Sequence, residues 1–233
     1  MKNNGGTTKR GKRVMLIALI IAILAAAGGW GMVIKLNMTT TPRLNPGALE
    51  NLNSNELMAI SDSALLQALE RRNSTARGSF TGNEISEDAL QLLGWAATGK
   101  NREGTGFVVP LAMGTTPYVS LYLADAHGVR RFSWESNSFE SVLEDDIRDT
   151  VNGGQNASAV WIYVIEKANV PNGSMDFAWH TIGAMSEHQY LLADELNIQT
   201  RFMGDVKADE VAVLLGLDAS KNIPAGVMVM AQK

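Results

Sequence analysis

The chain has 233 residues and a formal net charge of −4, with 45% hydrophobic and 19% charged residues. It contains no cysteine. That excludes disulfides, thiolate nucleophiles, cysteine-ligated zinc, iron–sulfur clusters and a lipid anchor on an N-terminal cysteine. Lys2, Lys9, Arg10, Lys12 and Arg13 come first, and from Val14 onward 15 basic residues face 24 acidic ones, about −9 for the body. Such a body repels phosphate backbones, so nucleic acid is not an expected partner.

Residues 1–13 form a basic tail, and Val14–Ile34 (VMLIALIIAILAAAGGWGMVI) is an uncharged apolar run of 21 residues. As a helix it would be about 30 Å long, the thickness of a bilayer's hydrocarbon core. Trp30 suits the far interface, and the excess of positive charge on the near side predicts a cytoplasmic N-terminus and an extracytoplasmic domain. A cleaved signal peptide with small residues at Ala25–Ala27 is the competing reading, and it places the domain outside the cytoplasm too. Residues 35–54, with two prolines and three consecutive threonines, read as a linker, leaving 55–233 as one domain.

In chain order, Ser61 or Asp62 can cap a helix over SALLQALERR, and Ser86 caps a second, EDALQLLGWAAT, ending at Gly99. A long glycine-rich loop follows to Pro117. Strands are expected at Tyr118–Ala124 and, after the turn DAHG, at Val129–Ser133. Residues 139–151 (FESVLEDDIRDTV) read as a short acidic helix, and Ala157–Glu166 as a central strand because it is apolar almost throughout. A long helix is expected at Ser174–Leu196, a strand at Ile198–Met203, a helix at Ala208–Leu215 ending at Gly216, and a last strand at Gly226–Ala231. The order predicts a layered α+β domain. The long helix carries apolar residues nearly all round, with Gly183–Ala184 at its middle, so it must be wrapped either by its own domain or by a partner subunit.

The order of LERRNSTARGSF, then ISEDALQLLGWAATGKNR with Trp95, Ala96, Ala97, Gly99, Asn101 and Arg102, resembles the nitroreductase family of homodimeric FMN-dependent oxidoreductases. The strand SLYLAD, the segment ending DIR, the long helix, Gly204 and LLGL at Leu214–Leu217 fit the same pattern. The resemblance covers nearly all of residues 60–233. It implies a mixed sheet flanked by helices, FMN as cofactor, a small-molecule substrate and a homodimer. It also implies that Arg72, Asn73, Ser74 and Arg77 hold the flavin phosphate, that Phe202, Met203 and Gly204 lie beside the ring system, and that Lys233 adds a cation. Guanidinium forks and a serine hydroxyl suit phosphate oxygens. On the residues alone, Arg71 and Arg72 could equally complement the negative end of their helix.

The chain departs from the family at three places, one of them the basic turn before Arg77, which is longer than usual by one or two residues. The loop often written P-S-x-x-N reads Pro110, Leu111, Ala112, Met113, Gly114, and Glu187–His188 stand where Gln–Asn is usual. A non-catalytic dimeric interaction module that kept the fold and lost the flavin is therefore the alternative. Glu187–His188 could form a proton relay or a polar interface pair. His127 sits in a turn, and His180 and His188 are too far apart on one helix for one metal without other ligands. Trp95, Trp134, Trp161 and Trp179 read as core or interface packing.

Overall fold

The computed structural model describes residues 63–104 and 106–233. The tail 1–13, the apolar segment 14–34, the linker 35–54 and the capping residues Ser61 and Asp62 lie outside the described residues. Among the described residues no helix is long and apolar enough to cross a membrane.

The chain runs α1 (Ala64–Arg71), α2 (Glu87–Thr98), β1 (Val119–Asp125), β2 (Gly128–Ser133), β3 (Ser138–Leu143), α3 (Arg148–Val151), β4 (Ala159–Glu166), α4 (Met175–Glu195), β5 (Ile198–Met203), α5 (Ala208–Leu214) and β6 (Asn222–Gln232). The strands form one sheet in the order β3-β2-β1-β4-β6-β5, and each neighbouring pair is antiparallel. The expected mixed sheet is thus corrected. β4 and β5 do run in the same direction across α4, but β6 inserts between them and opposes both.

Alternation along the strands sorts side chains into two cores. Trp161, Tyr163 and Ile165 of β4 face one core with Leu121, Leu123, Met228, Met230, α2 and α4. Val160, Ile162 and Val164 face the other with Val227, Val229, Val211 and Leu215. Both faces of β4 are covered, which explains its unbroken apolar sequence in a central antiparallel strand.

Residues 139–151 are not one helix. Phe139 pairs with Phe132 across a β2–β3 hairpin whose turn places Asn137 at φ 51°, and the helix is confined to α3. The ring of Phe139 meets Phe132 edge-on at 5.4 Å, so cross-strand packing outweighs the helical tendency of the acidic residues. Asp146 instead caps the later turn, accepting from the Arg148 N–H at 3.0 Å.

The other expected stops hold. The Ser86 hydroxyl accepts from the Ala89 N–H, and Gly216 (φ 62°) ends α5 with the Leu217 N–H donating to the Ala212 carbonyl at 2.8 Å. Gly94 lets α2 lie against β2, since a Cβ there would come 2.6 Å from the Phe132 ring. A buried polar tie joins sheet to helices: the Tyr163 hydroxyl binds Gln189 Oε1, and Gln189 Nε2 donates to the Leu93 carbonyl at 3.3 Å. Both side chains are wholly buried, and burial pushes the Tyr163 hydroxyl pKa well up, so it stays a neutral donor.

Candidate functional site

β5 is an edge strand of the sheet, and its free edge is covered by the segment that follows α1. The Thr75 N–H donates to the Thr200 carbonyl at 2.8 Å, and the Thr200 N–H donates to the Thr75 hydroxyl at 3.1 Å. Arg201 Nη1 donates to the Thr75 carbonyl at 3.1 Å. Gln199 accepts from the Thr81 N–H at 2.8 Å and donates to the Ser79 carbonyl at 2.9 Å. Thr75 of the basic turn, and Ser79 and Thr81 after it, are thus tied to β5, which holds the turn beside that strand.

Tyr190, from the buried face of α4, stands between the two. The Phe202 N–H donates to its hydroxyl at 2.6 Å, and the same hydroxyl lies 2.8 Å from the Ser74 Oγ. The Arg72 guanidinium carbon sits 5.3 Å from the centroid of the Tyr190 ring. Arg72 and Ser74, and the sequence-distant Phe202, therefore share one neighbour. Asn73 turns inward and donates to the Arg71 carbonyl at 3.0 Å. Lys233 lies at the same corner: its N–H donates to the Asn197 carbonyl, and it lines a cavity of about 10 Å³ with Asn73, Thr75 and Tyr190, room for one water.

The remaining expected residues are placed unevenly. Arg77 is exposed and makes no ion pair among the described residues. The Phe202 ring packs inward, 5.6 Å edge-on from Tyr163, over Gly226, where a Cβ would come 2.7 Å from its Cζ. Met203 reaches Gly153. Gly204 is exposed, and a Cβ there would meet nothing nearer than Phe202 at 3.8 Å, so the surface beside it is open.

The two neighbouring arginines divide their tasks. Arg71 binds Asp194 at 2.8 Å and Glu195 at 2.7 Å on α4, and the hydrogen bond to Asp194 holds its pKa above the ordinary value. Arg71 is thus a tie between α1 and α4. Arg72 faces the turn, with Glu187 Oε1 3.6 Å from its Nε.

Glu187 and His188 do not form a relay. Glu187 turns to Arg72, whereas His188 Nδ1 lies 3.1 Å from the Ala96 carbonyl on α2. His127 and His180 are exposed. Among the described residues no cluster of three His, Asp or Glu could hold a metal. The loop at Pro110–Gly114 is a single 3-10 turn with Met113 at φ 56°, pinned by the Ala112 N–H to the Tyr118 hydroxyl at 3.3 Å. Of the tryptophans, Trp161 is core and Trp179 is 47% exposed on the outer face of α4.

Tyr190 was not among the residues expected from the sequence, nor was Arg201. A tyrosine on the buried stripe of α4 with Ile182, Ser186, Gln189 and Ala193 carries the available signal, because a buried phenol needs a partner.

No protein-family model matches the chain, and no curated protein does. Solved structures do match. One, from Ralstonia eutropha JMP134 and named as a nitroreductase, is 22% identical and superposes with a TM-score of 0.66 over 72% of this chain and 82% of its own. The Escherichia coli microcin synthetase McbBCD complex with truncated pro-MccB17 bound gives a TM-score of 0.60 at 16% identity, over 89% and 92%. A protein from Desulfovibrio desulfuricans, named as a nitroreductase in complex with FMN, gives 0.50 at 16% identity, over 72% and 85%. The described domain has a nitroreductase-like α+β fold.

Proposed function

We propose that this protein is an FMN-dependent oxidoreductase of nitroreductase type that moves electrons from a donor to a small-molecule substrate. The observation that carries the reading is the junction at Tyr190, which joins the two halves of the expected flavin site, Arg72–Arg77 and Phe202–Gly204. The residues fit the group. Arg72 and Ser74 would donate to the phosphate oxygens, with Arg77 free to swing in from solvent and Lys233 as a further cation. The open surface beside Gly204 leaves room for a flat ring, with Phe202 and Met203 behind it. A bound flavin would supply the hydride chemistry; the chain's residues bind it, orient it and hold off water.

The same reading makes the protein a homodimer. The outer face of α4 carries Trp179, and elsewhere on the surface Leu65 and Leu69 of α1 are 60% and 48% exposed. An apolar groove lined by Leu65, Ala68, Trp95, His188, Leu191 and Leu192 opens between α1, α2 and the C-terminal half of α4. A second copy would cover these residues and wall the flavin edge that one chain leaves open. The Val14–Ile34 segment would tether each chain to the membrane with the domain outside the cytoplasm. Nicotinamide cofactors belong to the cytoplasm, so the electron donor would be a membrane quinol or a partner protein.

One observation favours the second reading, a non-catalytic module without flavin: Glu187 stands beside Arg72 and competes for the cation a phosphate would use. Titration of the full chain with FMN, followed by flavin fluorescence quenching, separates the two. The enzyme reading expects saturable binding and a loss of about 10- to 150-fold in Arg72→Ala, the worth of a charge-assisted contact. No quenching by the wild type favours the module.

A further inference from the structure

The hydrogen bonds around Tyr190 have a direction. An amide N–H can only donate, so the Phe202 N–H, 2.6 Å away, fixes the Tyr190 oxygen as its acceptor. The phenolic proton then needs an acceptor of its own. Among the described residues the one other polar atom within reach is the Ser74 Oγ at 2.8 Å. By distance alone either hydroxyl could donate to the other. If Ser74 donated, the Tyr190 proton would have no acceptor on the protein at a residue that is 7% exposed, and would depend on the single-water cavity that the tyrosine lines. The satisfied arrangement runs one way: Phe202 N–H to Tyr190 oxygen, Tyr190 O–H to Ser74 oxygen, and the Ser74 proton outward.

Ser74 is half-buried, so its proton points to the surface of the turn. That surface carries two arginines, the first of them with Glu187 Oε1 3.6 Å from its Nε. Arg72 lies over the ring of the same tyrosine, and exposed Arg77 follows in the same turn. A hydroxyl whose oxygen is already occupied as an acceptor is a stronger donor, because consecutive hydrogen bonds polarise one another. What fits such a donor in a turn that carries arginines is an anion with acceptor oxygens, a phosphate monoester above all.

We propose that Tyr190 is a positioning residue of the turn: its hydroxyl fixes Ser74 as an outward donor, so that the site selects ligands bearing a phosphate over their dephosphorylated counterparts. This rests on the flavin reading above for the identity of the ligand, but not for the chemistry of the turn. It also explains why a polar-tipped aromatic occupies the buried face of α4 at this position, where an aliphatic residue would fill the space without aiming Ser74.

The test compares FMN with riboflavin, which lacks the phosphate, on the full-length wild type, Tyr190→Phe, Ser74→Ala and the double variant. Tyr190→Phe keeps the ring beneath Arg72 and removes the hydroxyl, and with it the acceptor of the Phe202 N–H. The expected result is a loss of about 5- to 10-fold in FMN affinity in each single variant, the worth of one neutral hydrogen bond. Riboflavin affinity should stay within about twofold, and the double variant should be no worse than Ser74→Ala, because the two hydroxyls act as one unit. Parallel losses for FMN and riboflavin in Tyr190→Phe would mean a packing role only and overturn the proposal, as would additive losses in the double variant.

Inorganic phosphate is the second probe, read as a rise in melting temperature. Phosphate stabilisation of the wild type that is lost in Tyr190→Phe supports the proposal even where no flavin binds, in which case the flavin reading alone fails. Wild-type protein that responds to neither FMN nor phosphate overturns both.

Discussion

Tyr163→Phe removes one oxygen from the centre of the molecule, and the structure states what that oxygen does. The Tyr163 hydroxyl satisfies Gln189 Oε1, and both residues are fully buried between β4, α2 and α4. Without it, Gln189 Oε1 is a buried acceptor with no partner, while Gln189 Nε2 stays bound to the Leu93 carbonyl. The cost is the desolvation of one orphaned group, about 1–3 kcal/mol, plus little for lost volume. For a domain of this size that lowers the melting temperature by roughly 2–4 °C per kcal/mol. Tyr163→Phe with Gln189→Leu removes both partners and should recover most of the loss, giving a coupling of about 1–2 kcal/mol in a double-mutant cycle. Urea unfolding of the four proteins at neutral pH measures it.

The same pair predicts a pH dependence. Burial raises the folded pKa of Tyr163 well above its ordinary 10.0. The stability is therefore complete below pH 10 and declines as pH rises past it, where the unfolded chain releases a proton that the folded protein retains. Tyr163→Phe should lose that part of the alkaline decline. A single-variant cost under about 0.5 kcal/mol, or a double variant as damaged as the sum of the singles, would refute the buried tie.

Three further outcomes are expected. Gly183 is exposed on α4 and an added Cβ meets nothing within 4 Å; Gly183→Leu should therefore leave the isolated subunit stable, even gaining about 1 kcal/mol of helix propensity, while shifting light scattering from dimer toward monomer. An unchanged dimer would remove this face from the interface. Gly226→Ala places a methyl 2.7 Å from Phe202 Cζ and 3.3 Å from the Met203 carbonyl, and should cost about 1–3 kcal/mol by overpacking and weaken FMN binding by shifting Phe202. Fusion of a reporter active only outside the cytoplasm after Lys233 should be active; a silent reporter beside an active cytoplasmic one would reverse the topology.

Much of the domain was legible because local chemistry and tertiary packing agree there. Ser86 and Gly216 announce their helix ends, and β4 announces a central strand. Gly99 was read as a helix stop, and it is one, but not through left-handed backbone: its φ is −68°. It is a glycine because a Cβ would collide with the Trp95 side chain one turn earlier.

Where the reading failed, a distant partner decided the outcome. Residues 139–143 are a strand because β2 offers Phe132 and a free edge, and nothing within FESVL itself states that. The sheet is antiparallel because β6, the last element of the chain, slots between β4 and β5. The site divides in the same way. Arg72 and Ser74 stand in one short motif visible in the sequence, whereas Tyr190 meets Ser74 and Phe202 across separations that the sequence hides. Glu187 and His188 are neighbours in sequence, yet the turn of the helix sends them to Arg72 and to α2.

The central claim is that this nitroreductase-like fold still holds a flavin. The most direct measurement is the flavin content of the full chain, purified in detergent, incubated with excess FMN, freed of unbound cofactor and then denatured. The account predicts yellow protein that releases about one FMN per chain, with the yield sharply reduced in Arg72→Ala. Colourless wild-type protein that releases no flavin would contradict it.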